Sequence, residues 1–105
     1  MDLAHWQQRL LAFTEARDWE PFLNPKNLAM ALSVEAAELV ECYQWLDAEQ
    51  AMALTTQPAG RQAVADEMAD VLLYLLQLAR VTGIDLEQAT EAKFARNALK
   101  YPATR

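Results

Sequence analysis

Apolar residues return every three or four positions along most of the chain, and nowhere do they alternate long enough to argue for a strand. Leu3, Trp6, Leu10 and Phe13 form one such stripe and predict a first helix over about residues 2–17. Residues 18–25 form a compact connection. Asn24 then has the form of an N-cap and Pro25 of a first helical position, since proline has no N–H to leave unpaired there. The second helix is expected to run on to about Leu46, with Leu28, Leu32, Leu39, Cys42 and Leu46 as its stripe. Asp47 and Gln50 have the spacing of a capping box and predict a short third helix. Residues 55–60, Thr-Thr-Gln-Pro-Ala-Gly, read as a loop. A long fourth helix starts near Pro58 to Arg61 and stops at Gly83, a residue free to take the left-handed turn that closes helices. Asp85 with Gln88 repeats the capping pair, and the fifth helix ends near Leu99, ahead of Pro102.

Two long helices, shorter ones and short loops predict an all-α fold, a four-helix-type bundle with an additional short helix. The length of 105 residues leaves room for one domain over residues 1–105. Val64, Met68, Val71, Leu72, Leu75, Leu76, Leu78 and Val81 cover more than one face of the fourth helix. So wide an apolar arc needs cover on several sides, and a chain this small builds only a modest core. The expectation is a homo-oligomer, with a two-fold dimer as its smallest form.

Composition narrows the chemistry. A single cysteine, Cys42, excludes an intrachain disulfide framework and fits a reducing compartment. His5 is the only histidine, so one chain cannot build a multi-histidine metal site. The longest apolar run, Val71 to Leu76, falls far short of the roughly 20 residues that span a bilayer. The first residues carry no basic region ahead of an apolar run, so no signal peptide is expected, no membrane association, and a cytoplasmic location.

Fifteen acids against nine bases give a net charge of −6, and no basic patch is long enough to grip a phosphate backbone. Nucleic acid is therefore not an expected partner. The placement of the acids says more than their number. Glu35, Glu38, Glu41, Glu67 and Asp70 lie inside strongly apolar segments, and setting them aside leaves 10 acids against 9 bases.

Glu35 and Glu38 stand three apart, about 60° around a helix and one turn along it. Glu35 falls inside the stripe of the second helix, Glu38 on its rim beside Trp45, and Glu41 further round. Glu67 and Asp70 repeat the spacing on the fourth helix, with Glu67 among Val64, Val71, Tyr74 and Leu78. A lone E-x-x-E is ordinarily a solvated face. Two such pairs, each with a member inside an apolar stripe, are not, because buried acids need a partner or a metal. Facing carboxylates would repel and their pKa values would rise unless a cation held them. All-oxygen ligands favour Mg²⁺ or Mn²⁺. A bundle di-iron site would need Glu-x-x-His pairs, and His5 stands outside both clusters.

The pattern Glu35-Ala36-Ala37-Glu38, a spacer, then Glu67-Met68-Ala69-Asp70 resembles the signature of the MazG-like all-α nucleoside triphosphate pyrophosphohydrolases, in particular the dCTP pyrophosphatase-like branch. The resemblance extends over about residues 10–102. It includes Arg17-Asp18-Trp19-Glu20-Pro21-Phe22, Asn24-Pro25-Lys26-Asn27-Leu28, Glu38-Leu39-Val40-Glu41 through Gln44-Trp45, and Lys93, Asn97 and Lys100-Tyr101-Pro102. It implies hydrolysis of a nucleoside triphosphate to the monophosphate and pyrophosphate with Mg²⁺, in dimers or in tetramers built from dimers. By residue match, Glu35, Glu38, Glu67 and Asp70 would bind metal. Trp19, Trp45 and Tyr74 would shape the base and sugar pocket, and Lys93, Asn97, Lys100 and Tyr101 would help enclose substrate. The branch carries a histidine nine residues before the aromatic that matches Trp19, where this chain has Leu10.

In such a site a carboxylate not fully used by metal takes the proton from the attacking water, and Glu38 and Glu41 are both candidates. A competing reading is a non-catalytic helical oligomer that serves as an interaction or regulatory module. It gains if the acidic pairs fail to converge or are neutralised by lysines.

Overall fold

In the computed structural model, which describes residues 1–104, the chain forms α1 (Leu3–Glu15), a 3-10 turn (Glu20–Phe22), α2 (Pro25–Glu41), α3 (Ala48–Leu54), α4 (Pro58–Thr82) and α5 (Leu86–Lys100). No strand occurs among the described residues, as the periodicity predicts.

The expected caps are in place. Asn24 accepts from the Asn27 amide with Pro25 at the first helical position. Asp47 and Gln50 complete a reciprocal capping box at 2.8 and 3.0 Å. Asp85 accepts from the Gln88 amide at 3.0 Å. Gly83 closes α4 at φ 69°. A non-glycine performs the same turn after α1. Asp18 sits at φ 55°, its amide bonded to Glu15 O at 3.1 Å, while the Trp19 amide reaches back to Thr14 O at 3.0 Å. That pair of bonds is a Schellman closure, with an aspartate tolerating the left-handed region.

The second helix is shorter than its stripe predicts. It stops at Glu41 rather than near Leu46. The amides of Cys42, Tyr43 and Leu46 bond three residues back instead of four, a tightened ending. The cause lies just downstream. Asp47 must be extended, at ψ 177°, to cap α3, so the chain leaves the α geometry before it.

α2 and α4 form the central pair, with α1 laid against α4. The pair is antiparallel: Leu28 shares a cavity with Tyr74 and Gln77, while Leu39 and Tyr43 share a groove with Val64 and Met68. Leu28 and Leu76 are its fully buried side chains, and Val64 and Ala79 are also buried. The start of α5 borders the start of α1, but its outer length stands free, with Phe94 and Leu99 at 75% and 84% exposure.

One chain is therefore not closed on itself. Its radius of gyration is 16.8 Å, where a compact domain of this length has about 13 Å. Its accessible surface is 8136 Å², against about 5,900 Å² for a folded monomer of this mass.

Candidate functional site

The antiparallel crossing of α2 and α4 carries two i, i+3 carboxylate pairs to one place. One carboxylate oxygen from each of Glu35, Glu38 and Glu67 lies within 4.8 Å of the other two. All three side chains are half-buried. Asp70, one turn on from Glu67, adds its charge to the field on both Glu35 and Glu67. Among the described residues none of the four takes part in a salt bridge; the ion pair present joins Arg80 to Glu20.

The electrostatics are those of an uncompensated cluster. Burial raises the pKa of Glu35, and contact with Glu38 and the charges of Glu38, Asp70 and Glu67 add to it. Glu67 is raised in the same way, by burial first, then by Glu38, Asp70 and Asp66. Glu38 lies within 4.8 Å of both. Glu35 Oε2 and Glu67 Oε2 are buried without any hydrogen-bond partner. Two orphaned carboxylate oxygens in one acidic cluster call for a proton or a cation. An all-oxygen donor set of three or four carboxylates suits a hard divalent ion.

Beside the acids a cavity of about 210 Å³ opens between α1, α2 and α4, with Asp70 on its wall. Trp19 and Tyr74 both border it. Phe13 stands edge-on to Trp19, ring centres 5.7 Å apart and planes at 73°, and Leu10 lies in the same wall. Flat apolar walls leading to an anionic end give the space two chemically distinct halves.

The remaining residues singled out in the sequence lie elsewhere in this chain. Trp45, in the turn after α2, is 87% exposed and does not border the cavity. Glu41, the last residue of α2, is exposed and outside the three-carboxylate cluster. Lys93 and Asn97 flank Phe94 along a shallow groove on α5. Lys100 Nζ sits 5.3 Å from the centre of the Tyr101 ring at the end of that helix.

The structure also adds residues that sequence reasoning passed over. Gln77 is buried on the cavity wall, and its carboxamide is tied through Arg80 to Glu20 and Thr14. A signal was available: Gln77 interrupts the apolar run Leu75-Leu76-Gln77-Leu78 in α4.

The MazG-like family model matches residues 30–105. The chain is 40% identical over 90 residues to dCTP pyrophosphatase 1 of Bos taurus, covering 86% of this chain and 53% of that protein. The Homo sapiens protein of the same name gives 40% over 91 residues, 87% and 54%. The chain thus spans about half the length of these relatives. A pyrophosphatase crystal structure from Archaeoglobus fulgidus superposes with a TM-score of 0.90 at 34% identity, covering 98% of this chain and 94% of that one. No helix among the described residues is long and apolar enough to cross a membrane. With the all-α fold, the two carboxylate pairs and these similarities together, the chain belongs to the MazG-like family.

Proposed function

We propose that this chain is a nucleoside triphosphate pyrophosphohydrolase that converts a (d)NTP, with dCTP or a modified dCTP as the first candidate, to the (d)NMP and pyrophosphate. The observation that carries the reading is the convergence of Glu35, Glu38 and Glu67, two of them with buried orphan oxygens, beside an aromatic-walled cavity. The curated relatives are named as dCTP pyrophosphatases and the similar crystal structure as a pyrophosphatase, which supports the reading.

Glu35, Glu38, Glu67 and Asp70 would hold Mg²⁺ or Mn²⁺. When bound, the metal supplies positive charge that offsets both the acids and the triphosphate. Glu38, reaching both Glu35 and Glu67, is the carboxylate placed to take the proton of the attacking water, and the exposed position of Glu41 speaks for Glu38 over it. Trp19 and Tyr74 would flank the base, whose flat faces stack on aromatic walls while its edge stays polar.

Trp45, Lys93, Asn97, Lys100 and Tyr101 would act on a site shared between subunits, where cationic and aromatic side chains close over the phosphates and sugar. The surplus surface and the free length of α5 support a homodimer, or a tetramer of dimers, in which another copy covers them. The chemistry fits an enzyme of the cytoplasmic nucleotide pool.

The test is a panel of nucleoside triphosphates incubated with Mg²⁺ or Mn²⁺ and resolved into products. Equimolar monophosphate and pyrophosphate from the wild type, lost in Glu38→Gln, supports the reading. Orthophosphate release would make it a γ-phosphatase. No turnover of any nucleotide would leave the helical interaction module.

A further inference from the structure

Gln77 is only 6% exposed, next in sequence to the fully buried Leu76 on α4. It borders the cavity that Trp19, Tyr74 and Asp70 also line. A carboxamide has an accepting end and a donating end. Here the accepting end is taken. Arg80 Nε donates to Gln77 Oε1 at 2.9 Å. The guanidinium is itself held by Glu20, Nη2 to Oε1 at 2.9 Å and Nη1 to Oε2 at 3.4 Å. Glu20 Oε1 accepts in turn from the Thr14 hydroxyl.

This chain of bonds fixes which way the carboxamide faces. Turning it over would set Nε2 against the guanidinium, donor against donor. The Nε2 hydrogens are then what Gln77 presents, and the structure gives them no partner among the described residues. The Thr14 hydroxyl, on the same wall, spends its hydrogen on Glu20. Leu10, also on that wall, offers no hydrogen bond.

The ligand must complement these features together. Gln77 and Asp70 are seven residues apart on one helix, about 10.5 Å along its axis. A molecule that spans them carries anionic groups at the acids, a flat ring between the aromatic walls, and an acceptor at the far edge. We propose that Gln77 is a specificity-determining residue: its Nε2, held in that orientation by Arg80, donates to a ring-nitrogen or carbonyl acceptor on the buried edge of the nucleobase. An amino group at that edge is rejected. The proposal rests on the pyrophosphohydrolase reading and adds to it the edge of the base that is read.

The test compares kcat/KM for dCTP and for the triphosphate of a difluorobenzene deoxyriboside, which keeps the ring's shape and lacks its strong acceptors. The wild type should prefer dCTP by about 100-fold, since the analogue covers the Gln77 donor without giving it an acceptor. Gln77→Leu should shrink that ratio about tenfold or more, with Gln77→Met as the alternative if the leucine variant does not fold. Arg80→Met should shrink it too, because the carboxamide is then free to turn, although Gln77 is still present. A wild-type ratio near one overturns the proposal without any variant, as does a folded Gln77→Leu or Gln77→Met that keeps the wild-type ratio. A wild type inert on dCTP and on every other nucleotide of the panel overturns the pyrophosphohydrolase reading and this one with it. An active wild type with an unaltered ratio overturns the role of Gln77 alone.

Discussion

Arg80 on α4 grips Glu20 in the 3-10 turn with two nitrogens, at 2.9 and 3.4 Å, across 60 residues of sequence. The Thr14 hydroxyl and then this guanidinium lower the Glu20 pKa below its ordinary value. A carboxylate whose folded pKa is depressed stabilises the fold above its unfolded pKa, and loses that contribution as pH falls toward the folded value. Melting temperatures of the wild type and Glu20→Gln should therefore differ at pH 7 and converge as pH drops below about 5. A gap that persists unchanged at low pH would show that the pair contributes nothing through its charge.

The carboxylate cluster makes the opposite prediction about charge. Glu35 and Glu67 have raised pKa values from burial and from one another's neighbours, so the metal-free protein carries repulsion between α2 and α4. Adding Mg²⁺ or Mn²⁺ should raise the melting temperature, by the equivalent of about 2.7 kcal/mol at 100 times the dissociation constant. Glu67→Gln should melt higher than the wild type without metal and lose most of the metal-induced rise. A wild type indifferent to both ions speaks against the acids as ligands.

Leu76 is fully buried and Leu99 is 84% exposed within one chain. Leu76→Ala should cost about 2–5 kcal/mol in denaturant unfolding, the range for a core leucine that leaves a cavity. Were the single chain the working unit, substitutions on the outer face of α5 would be nearly neutral. Phe94→Asp, at a 75% exposed position, should instead reduce the mass measured by light scattering while leaving the helical circular dichroism intact. An unchanged mass would place the subunit contact elsewhere.

Gly60 lies in the first turn of α4, where helix propensity alone favours alanine by about 1 kcal/mol. Tertiary structure reverses the sign. A Cβ there would overlap the Leu54 carbonyl oxygen and come within 2.8 Å of Leu54 Cδ1, at the end of α3. Backbone cannot yield as a flexible side chain can, so Gly60→Ala should destabilise by about 1–3 kcal/mol, measurable by urea unfolding.

The helices, their caps and the i, i+3 spacing of each carboxylate pair were legible in the sequence. Each is written in windows of three to seven residues, the range over which helical periodicity and capping act. Asn24, Asp47 and Asp85 each bond the amide three residues on, as their spacing implies. Periodicity misled at the end of α2, where a stripe continuing to Leu46 gave no sign that capping α3 through Asp47 would stop the helix at Glu41.

What lay beyond those windows was decided by packing. That Glu38 meets Glu67, while Glu41 stays in solvent, depends on the register at which antiparallel α2 and α4 cross around Leu28, Val64 and Leu76. No local pattern encodes a crossing between residues 29 positions apart. Gln77 was visible as one polar residue in an apolar run, but not the way its carboxamide faces. That orientation is set by Arg80, itself held by Glu20 from another part of the chain. The sequence by itself determined which groups are available for chemistry, since residue type and helical phase are local. Only the tertiary structure decided which of them meet, since an interaction between distant segments exists only once the core has fixed their register.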